Sequence, residues 1–456
     1  MSLSETTLQT YLTTHNSNTK LYSRTHAAFE PINAPFFKKP GVLPSLIARP
    51  QTAEDVQILI KYARENNVDF VIRTGGHDGA GRSQVHDALS IDMRDIQYVN
   101  VAQDRKTASV GGGILLRGVA RGLGEFGLGT PVGSIATVGY VGWATLGGYG
   151  PFSARYGLGV DQIVGAKIVN PEGELVDAND EMLKGIRGGG GILGVIVELT
   201  VKVFPLKQVL HSTIVFESSD MDATWSTYTQ GYQKLADEHS LPDALALQEF
   251  ALELPGVGKA FIVAATWVDE NQEEGNKWID KIASLGNCIM KMTKPMTLLQ
   301  LLEENEKLLV FGQYGRVHTL SFKKFTPKTT AILAKYTNLL PGGGTGISIH
   351  ALRSPKPNEE SVFGNRTDHH MLELISSTPD ESIWKKADEW GRAAIKELLQ
   401  GDPENMIESW YISLIDRDDT DLRTVYGRHY EGLLALKRKY DPKNVFKYAV
   451  PRLLEK

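Results

Sequence analysis

Cysteine is almost missing: Cys288 is the only one in 456 residues. One thiol forms no intrachain disulfide and no cysteine-based metal site, and no metal is expected. Long apolar runs are missing too. No stretch approaches the roughly 18 residues that a membrane span needs, so no membrane partner is expected. A basic excess is also lacking: 49 Lys and Arg stand against 54 Asp and Glu, a formal charge of −5. Without a basic stripe there is no footprint for a phosphate backbone, which argues against a nucleic-acid partner. The opening residues, Met1-Ser2-Leu3-Ser4-Glu5, carry neither the basic nor the apolar region of a secretory leader. With the lone thiol, this predicts a chain that works in the reducing cytosol.

Glycine, by contrast, is plentiful. The 45 glycines gather at 75–81, 111–150 and 188–194. At 456 residues the chain is too long for one ordinary core and predicts two or three domains. Its 41% hydrophobic and 23% charged residues are the balance of an ordinary globular protein.

The densest signal is Arg73-Thr74-Gly75-Gly76-His77-Asp78-Gly79-Ala80-Gly81-Arg82-Ser83. The apolar run Phe70-Val71-Ile72 leads into it and reads as a short buried strand. Glycine serves where the chain takes φ > 0 or lies directly against a ligand. His77 sits in the middle of the bend, which presents a ring nitrogen to a large, phosphate-bearing cofactor. A simple turn with a surface histidine is the competing reading. A second dense stretch runs from Gly127 to Gly150 and includes Gly133, Thr137, Val138, Gly139, Gly142 and Trp143. Residues this small and apolar make poor helix and poor strand. They are suited to laying main-chain amides against an extended polyanion. Gly189, Gly191 and Gly194 fit the dinucleotide pattern G-x-G-x-x-G, but that fingerprint needs a helix after it. Val195 to Phe204 reads as a β-branched strand, so the pattern is set aside.

Around these stretches, residues 1–40 read as an irregular arm. Strands are predicted at 44–50, 70–73, 88–93, 107–110, 160–169, 174–177 and 195–204, with helices from Thr52 and over 115–123. Beyond Pro205 the texture changes to clean strands alternating with amphipathic helices. Strands are predicted at 209–216, 346–352 and 372–375, a hairpin at 244–254 and 259–268, and helices at 270–284, 328–338 and 381–399. That pattern predicts an α+β sheet with helices on one face.

Several motifs in fixed order carry a family resemblance. They are Arg73-x-Gly75-Gly76-His77, Ile91-Asp92, Gly111-Gly112-Gly113, Thr137-Val138-Gly139, Gly147-Gly148-Tyr149-Gly150, Tyr156-Gly157-Leu158 and Arg187 to Gly191. With them, residues 40–205 resemble the flavin-binding domain of the vanillyl-alcohol oxidase / p-cresol methylhydroxylase superfamily. Tyr440-Asp441-Pro442-x-Asn444-x-Phe446 resembles the end of its berberine-bridge-enzyme-like branch. The resemblance implies an α+β fold: a two-part FAD-binding domain over 1–206 with its arm at 1–40, a substrate domain over 207–420, and a segment 421–456 returning to the first. It implies FAD, bound covalently from a His77 ring nitrogen to the flavin 8α-methyl carbon. It also implies cofactor contacts from Arg73, Thr74, Gly75, Gly76, Asp78, Gly79, Ser83, Gly133, Thr137, Val138, Gly139, Gly142, Val195, Val197 and Asn444.

Three positions depart from the family pattern. The second tether, a cysteine in many members, is Ile135, which implies a single bond to the flavin. Tyr-x-Asn-Tyr reads Tyr411-Ile412-Ser413-Leu414, so the tyrosine that serves some members as base is Leu414. The aromatic-His-Arg turn reads Phe363-Gly364-Asn365-Arg366. Candidates for the missing base are Tyr411, His369, His370 and Glu373. Strand alternation puts His370 with Leu372 and sets Met371 with Glu373 on the other face. Tyr140 and Trp143 are candidates to wall the pocket, with plain packing as the simpler role for Trp143. Val138 stands where the resemblance places an oxygen gate, and its small side chain is similar to oxidases, which implies O2 as acceptor and peroxide as product. The leading expectation is a FAD-dependent oxidase of a small organic molecule in an intracellular biosynthetic or catabolic step. A redox-neutral isomerase or cyclase on the same scaffold is the alternative, and a flavin-loaded binding protein a third. A monomer and a homodimer are both compatible with the sequence.

Overall fold

Local signals act as the sequence predicts at the first strand and helix. Leu46–Arg49 is a buried strand, and Thr52 caps helix Ala53–Glu65 through a reciprocal box with Asp55. The computed structural model describes residues 4–254, 256, 258–307, 310–342, 344–353, 357–407, 410–415 and 420–454. The expected irregular arm is instead partly regular: helix Glu5–Thr14, strand Lys20–Ser23 and helix Phe29–Asn33. Leu8 and Leu12 are fully buried, so the first helix docks by its apolar stripe.

Two larger sheets and one two-stranded pair form from the described residues up to 205. In the first, Lys20–Ser23, Leu46–Arg49, Leu89–Asp92 and Phe70–Arg73 lie side by side, the last three parallel. The second is antiparallel, in the order Val99–Val101, Thr107–Gly111, Val195–Lys202, Ile163–Val169 and Leu175–Asp177. Because Val195–Lys202 follows the glycines at 188–194, the dinucleotide fingerprint is excluded by context. The run expected as a strand from Val160 begins as a helical turn, Gly159–Gln162. The Gly-dense stretch is not wholly irregular either: Tyr140–Thr145 is helical and Leu128–Gly129 pairs with Phe204–Pro205.

Residues 209–407 build one antiparallel sheet of eight strands. Its order is Cys288–Met296, Val209–Phe216, Gly258–Trp267, Leu245–Leu254, Thr345–Leu352, His369–Thr378, Tyr314–Phe322 and Met406–Ile407. One face buries Ile214, Val263, Leu247, Ile349, Leu372 and Leu374 against Trp225, Tyr228, Ile279, Leu333 and Trp390 of the covering helices. The other face turns to the glycine-rich half. There Leu352 and Met371 pack with Tyr149, Leu158, Val160, Phe363 and Tyr411.

Glu249 points into the helix-covered face and is fully buried. The Tyr228 hydroxyl donates to its Oε1 at 2.8 Å, and Oε2 has no partner among the described residues. Burial pushes this carboxyl up to about 7, against the Tyr228 bond that lowers it. The folded chain therefore holds a proton that the unfolded chain releases near its ordinary value of 4.5. Stability falls as pH rises through that window, by on the order of 3 kcal/mol at most. A Glu249→Gln chain is expected to lose this slope. Thermal melts between pH 5 and 8 check it, and equal slopes in the two chains would count against it.

Candidate active site

The strand Phe70–Arg73 delivers the histidine loop. Gly76 takes φ +72°, and a Cβ there would lie 2.9 Å from the Arg73 guanidinium curled beneath it. Arg73 donates to the carbonyls of Ile32 at 2.9 Å, Asn33 at 2.8 Å and Ala34 at 2.6 Å. Burial, with the nearby Arg94 charge, lowers its pKa to about 10, so it stays charged at neutral pH. Its side chain is thus committed to the N-terminal segment. Asp78 is committed as well. It pairs with Arg82 at 2.5 Å, and Arg82 reaches on to the Ile412 carbonyl at 2.9 Å.

The loop backs onto the second glycine stretch. A Cβ on Gly75 would sit 2.5 Å from the Gly139 nitrogen, and one on Gly139 would sit 2.7 Å from Thr74 Cβ. Only glycine permits this approach. None of the main-chain amides of Gly75, Gly76, His77, Asp78 and Gly79 donates a hydrogen bond to another described residue. The amides of Gly133, Ser134, Ile135, Ala136 and Thr137 are equally unspent. Buried or half-buried amides without partners are costly unless something accepts from them. Two such runs on loops that touch at Gly75 and Gly139 suit a diphosphate.

His77 stands over these rows. Its Nε2 lies 3.0 Å from Thr137 Oγ1, its ring stacks on Phe36 at 4.5 Å, and Phe311 meets it edge-on at 5.1 Å. Burial, helped by the Arg73 charge, pulls the imidazole down to about 3. It is neutral, and a neutral imidazole has a lone pair available for a bond to carbon. A neutral ring, a glycine cradle and unspent amides together fit a flavin dinucleotide.

The remaining cofactor expectations separate by position. Gly79 and Gly142 have open space where a Cβ would stand, whereas Gly133 is covered by Trp143. Trp143 donates to the Tyr149 carbonyl at 3.0 Å and is a packing residue. Tyr140, expected at the pocket wall, is fully buried in the core. Val195 and Val197 are buried strand residues whose side chains join the cluster around Phe446. Val138 is half-buried, and its carbonyl accepts from Leu116. Ser83 is half-buried at the end of the loop. Asn444 takes φ +50° in the C-terminal turn.

Across the cleft stands the open face of the eight-stranded sheet. Tyr411 lies on a turn rather than a strand, and its hydroxyl accepts from the Gly148 amide at 3.3 Å. Burial, with the Glu373 charge, pushes its pKa up, so it holds its proton. Tyr149 meets it edge-on at 4.9 Å and donates to the Asn365 carbonyl at 3.1 Å. His369 is on this side too, edge-on to Tyr149 at 5.6 Å, with Nδ1 bonded to the Thr367 carbonyl. Burial lowers its pKa. Glu373 Oε2 lies 3.2 Å from His350 Nε2, and Gln248 reaches the same nitrogen at 3.1 Å. His350 and Gln248 escaped the sequence reading, although strand alternation sets both on the face of Met371.

His370 is on the other face. It stacks on Phe322 at 5.1 Å beside Phe325 and Tyr232, and burial lowers it to about 3. It is a neutral core histidine and drops out of the candidate set. Leu414 packs beside Tyr411 and brings no proton-active group. In the turn that departs from the family pattern, the Arg366 guanidinium forks onto Asp161 at 2.9 and 3.1 Å and ties that turn to the glycine-rich half.

Known proteins share this fold. Residues 44–179 match the FAD binding domain family and residues 418–450 the berberine and berberine like family. The FAD-linked oxidoreductase aurO of Gibberella zeae is 31% identical over 455 residues, covering 97% of this chain and 87% of that protein. Among solved structures, the 6-hydroxy-D-nicotine oxidase of Arthrobacter nicotinovorans superposes with a TM-score of 0.85 at 21% identity, covering 95% of this chain and 97% of that one. The berberine bridge enzyme of Eschscholzia californica gives 0.82 at 20% identity, over 96% and 97%. The chain belongs to the FAD-linked oxidoreductases, with the two-part flavin-binding fold and C-terminal segment of the berberine-bridge-enzyme-like branch.

Proposed function

We propose that the protein is an oxidase that holds FAD by one covalent bond from His77 and oxidises a small organic molecule at a carbon bearing oxygen or nitrogen, with O2 as acceptor. The observation that carries this reading is His77: a buried, neutral ring on a glycine loop that, with the stretch it packs against, leaves ten amides unspent. The amides of 75–79 and 133–137 would hold the diphosphate. Ile135 leaves no second tether, and Cys288 stands far off on the edge strand of the eight-stranded sheet. FAD supplies the two-electron acceptor that no amino-acid side chain provides.

The chain supplies position and proton handling. Tyr411, protonated, offers a hydroxyl to an oxygen or nitrogen of the substrate. Glu373 and His369 share its side of the cleft. Tyr149 and Phe363 close the apolar wall that keeps water out. Val138, small and half-buried beside Thr137, leaves room for O2.

The test is a denatured band. Wild-type protein, precipitated in acid and run under denaturing conditions, should keep flavin fluorescence on the polypeptide, and His77→Ala should lose all of it. A yellow wild-type protein that releases its entire flavin defeats the covalent bond. Peroxide formation across alcohols, amines and phenols then tests the oxidase. Turnover without anaerobic bleaching of the flavin would favour a redox-neutral reaction instead.

A further inference from the structure

From the geometry of the sheet floor we infer that His350 is the proton acceptor of the reaction and Glu373 the residue that aims it. The inference rests on the oxidase reading and deepens it, because it sets the substrate class. An ionised carboxylate only accepts hydrogen bonds. The 3.2 Å contact between Glu373 Oε2 and His350 Nε2 therefore places the ring proton on Nε2. The Gln248 amide nitrogen is placed 3.1 Å from the same ring nitrogen and 2.9 Å from Ser348 Oγ; with the Nε2 proton fixed by Glu373, that amide must be turned end for end, so that its oxygen accepts from the ring N–H and from the Ser348 hydroxyl. Both contacts fall on Nε2, so Nδ1 is left as a bare acceptor with no bond to a described residue.

This nitrogen is on the right side of the sheet. His350 pairs with Met371 and Gln248, and Met371 packs against Tyr149 and Tyr411. His350 and Glu373 keep 15% and 14% of their side-chain surface, so the pair is dry but reachable. The titratable neighbours are few. Glu373 faces His350 directly, Tyr411 faces Glu373, and Glu249 feels the histidine through the sheet. A carboxylate fixing an imidazole tautomer while the far nitrogen takes a proton is a known catalytic arrangement.

The substrate this requires carries an O–H or N–H on the carbon that is oxidised. Such a substrate would give that proton to Nδ1, and FAD, when held by His77 and the amides of 75–79 and 133–137, would supply the acceptor for the hydride of the same carbon, leaving a C=O or C=N bond. O2 would take the two electrons, and the proton on His350 with the one carried as hydride would complete H2O2.

The experiment compares wild type, His350→Asn, Glu373→Gln and the double variant, all flavin-loaded. The probe is the first compound of the alcohol, amine and phenol panel that bleaches wild-type flavin anaerobically. His350→Asn should slow bleaching roughly 10²–10⁴-fold at little change in half-saturation, and erase the acid limb of its pH profile. Glu373→Gln should slow it less and keep that limb. The double variant should match His350→Asn, since the two act as a unit. Near-normal bleaching in His350→Asn with a large loss in Glu373→Gln would make Glu373 the base and overturn the inference. A panel that yields no bleaching defeats the oxidase reading instead. Independently of turnover, 15N spectra of histidine-labelled protein should show His350 protonated on Nε2; protonation on Nδ1 overturns the inference by itself.

Discussion

Asp441→Ala is expected to cost the folded chain about 3–5 kcal/mol, because it strips one partner from a buried ion pair. Asp441 is fully buried, and the Lys437 ammonium lies 2.6 Å from its Oδ2 with 2% of its side chain exposed. Burial lowers the Lys437 pKa while Asp441 opposes the shift. The same carboxylate accepts from the amides of Val445 at 2.7 Å and Phe446 at 2.9 Å. Lys437 also donates to the Ile192 carbonyl at 3.0 Å, in the glycine turn ahead of Val195–Lys202. One substitution thus leaves a buried cation facing only carbonyls, orphans two amides and loosens the tail from the flavin-binding half. Lys437→Met should cost less, since Asp441 keeps both amides. The double variant should cost less than the two losses added, because no charge is then left alone. Urea unfolding of the four chains checks this. An Asp441→Ala chain within about 0.5 kcal/mol of wild type, the range of an ordinary surface change, would show that the pair contributes nothing.

Much of this was legible in the sequence wherever the signal is local. The capping box at Thr52 and Asp55, the antiparallel pairing of Leu245–Leu254 with Gly258–Trp267 and the turn at Asn170–Gly173 each need only neighbouring residues. The helix Met221–Glu238 was missed because Thr, Ser and Gly dilute its apolar stripe, and only tertiary packing of Trp225, Tyr228 and Tyr232 holds it. The edge strand Cys288–Met296 was missed for a related reason. It exposes Ile289, Met290 and Met292, so no alternation marks it. In the candidate site, alternation separated His370 from Glu373 but left open which face meets the flavin. That choice depends on contacts such as Met371 with Tyr149, more than two hundred residues apart. The partners of the Arg73 and Asp78 side chains were not legible, because the carbonyls that Arg73 meets, and the Arg82 link from Asp78 to Ile412, are long-range. His350 went unnoticed because it follows Ser348 and Ile349 in an ordinary strand, and its meaning lies on two neighbouring strands.

Gly139→Ala is expected to empty the cofactor cleft, and it isolates the cradle from the tether. The new methyl would stand 2.7 Å from Thr74 Cβ and 2.8 Å from the Gly75 nitrogen. Real Cβ atoms do not approach backbone this closely, so the two loops must part. Overpacking of this kind costs about 1–3 kcal/mol. The larger effect falls on geometry, since parting the loops moves one row of amides away from the other and a diphosphate can no longer be held by both. His77 and Thr137, 3.0 Å apart across the same seam, separate with them. The purified Gly139→Ala chain should therefore be colourless even with excess FAD, whereas His77→Ala, its cradle intact, should bind FAD reversibly and turn yellow. Gly432→Ala is the control. It lies within helix Tyr430–Tyr440 with open space at the Cβ, and should gain about 0.5–1 kcal/mol while loading flavin normally. The visible spectrum of each chain after dialysis against FAD reads the result. A fully loaded Gly139→Ala chain would mean that the diphosphate is seated elsewhere, and that the unspent amides at 75–79 and 133–137 serve something other than the cofactor.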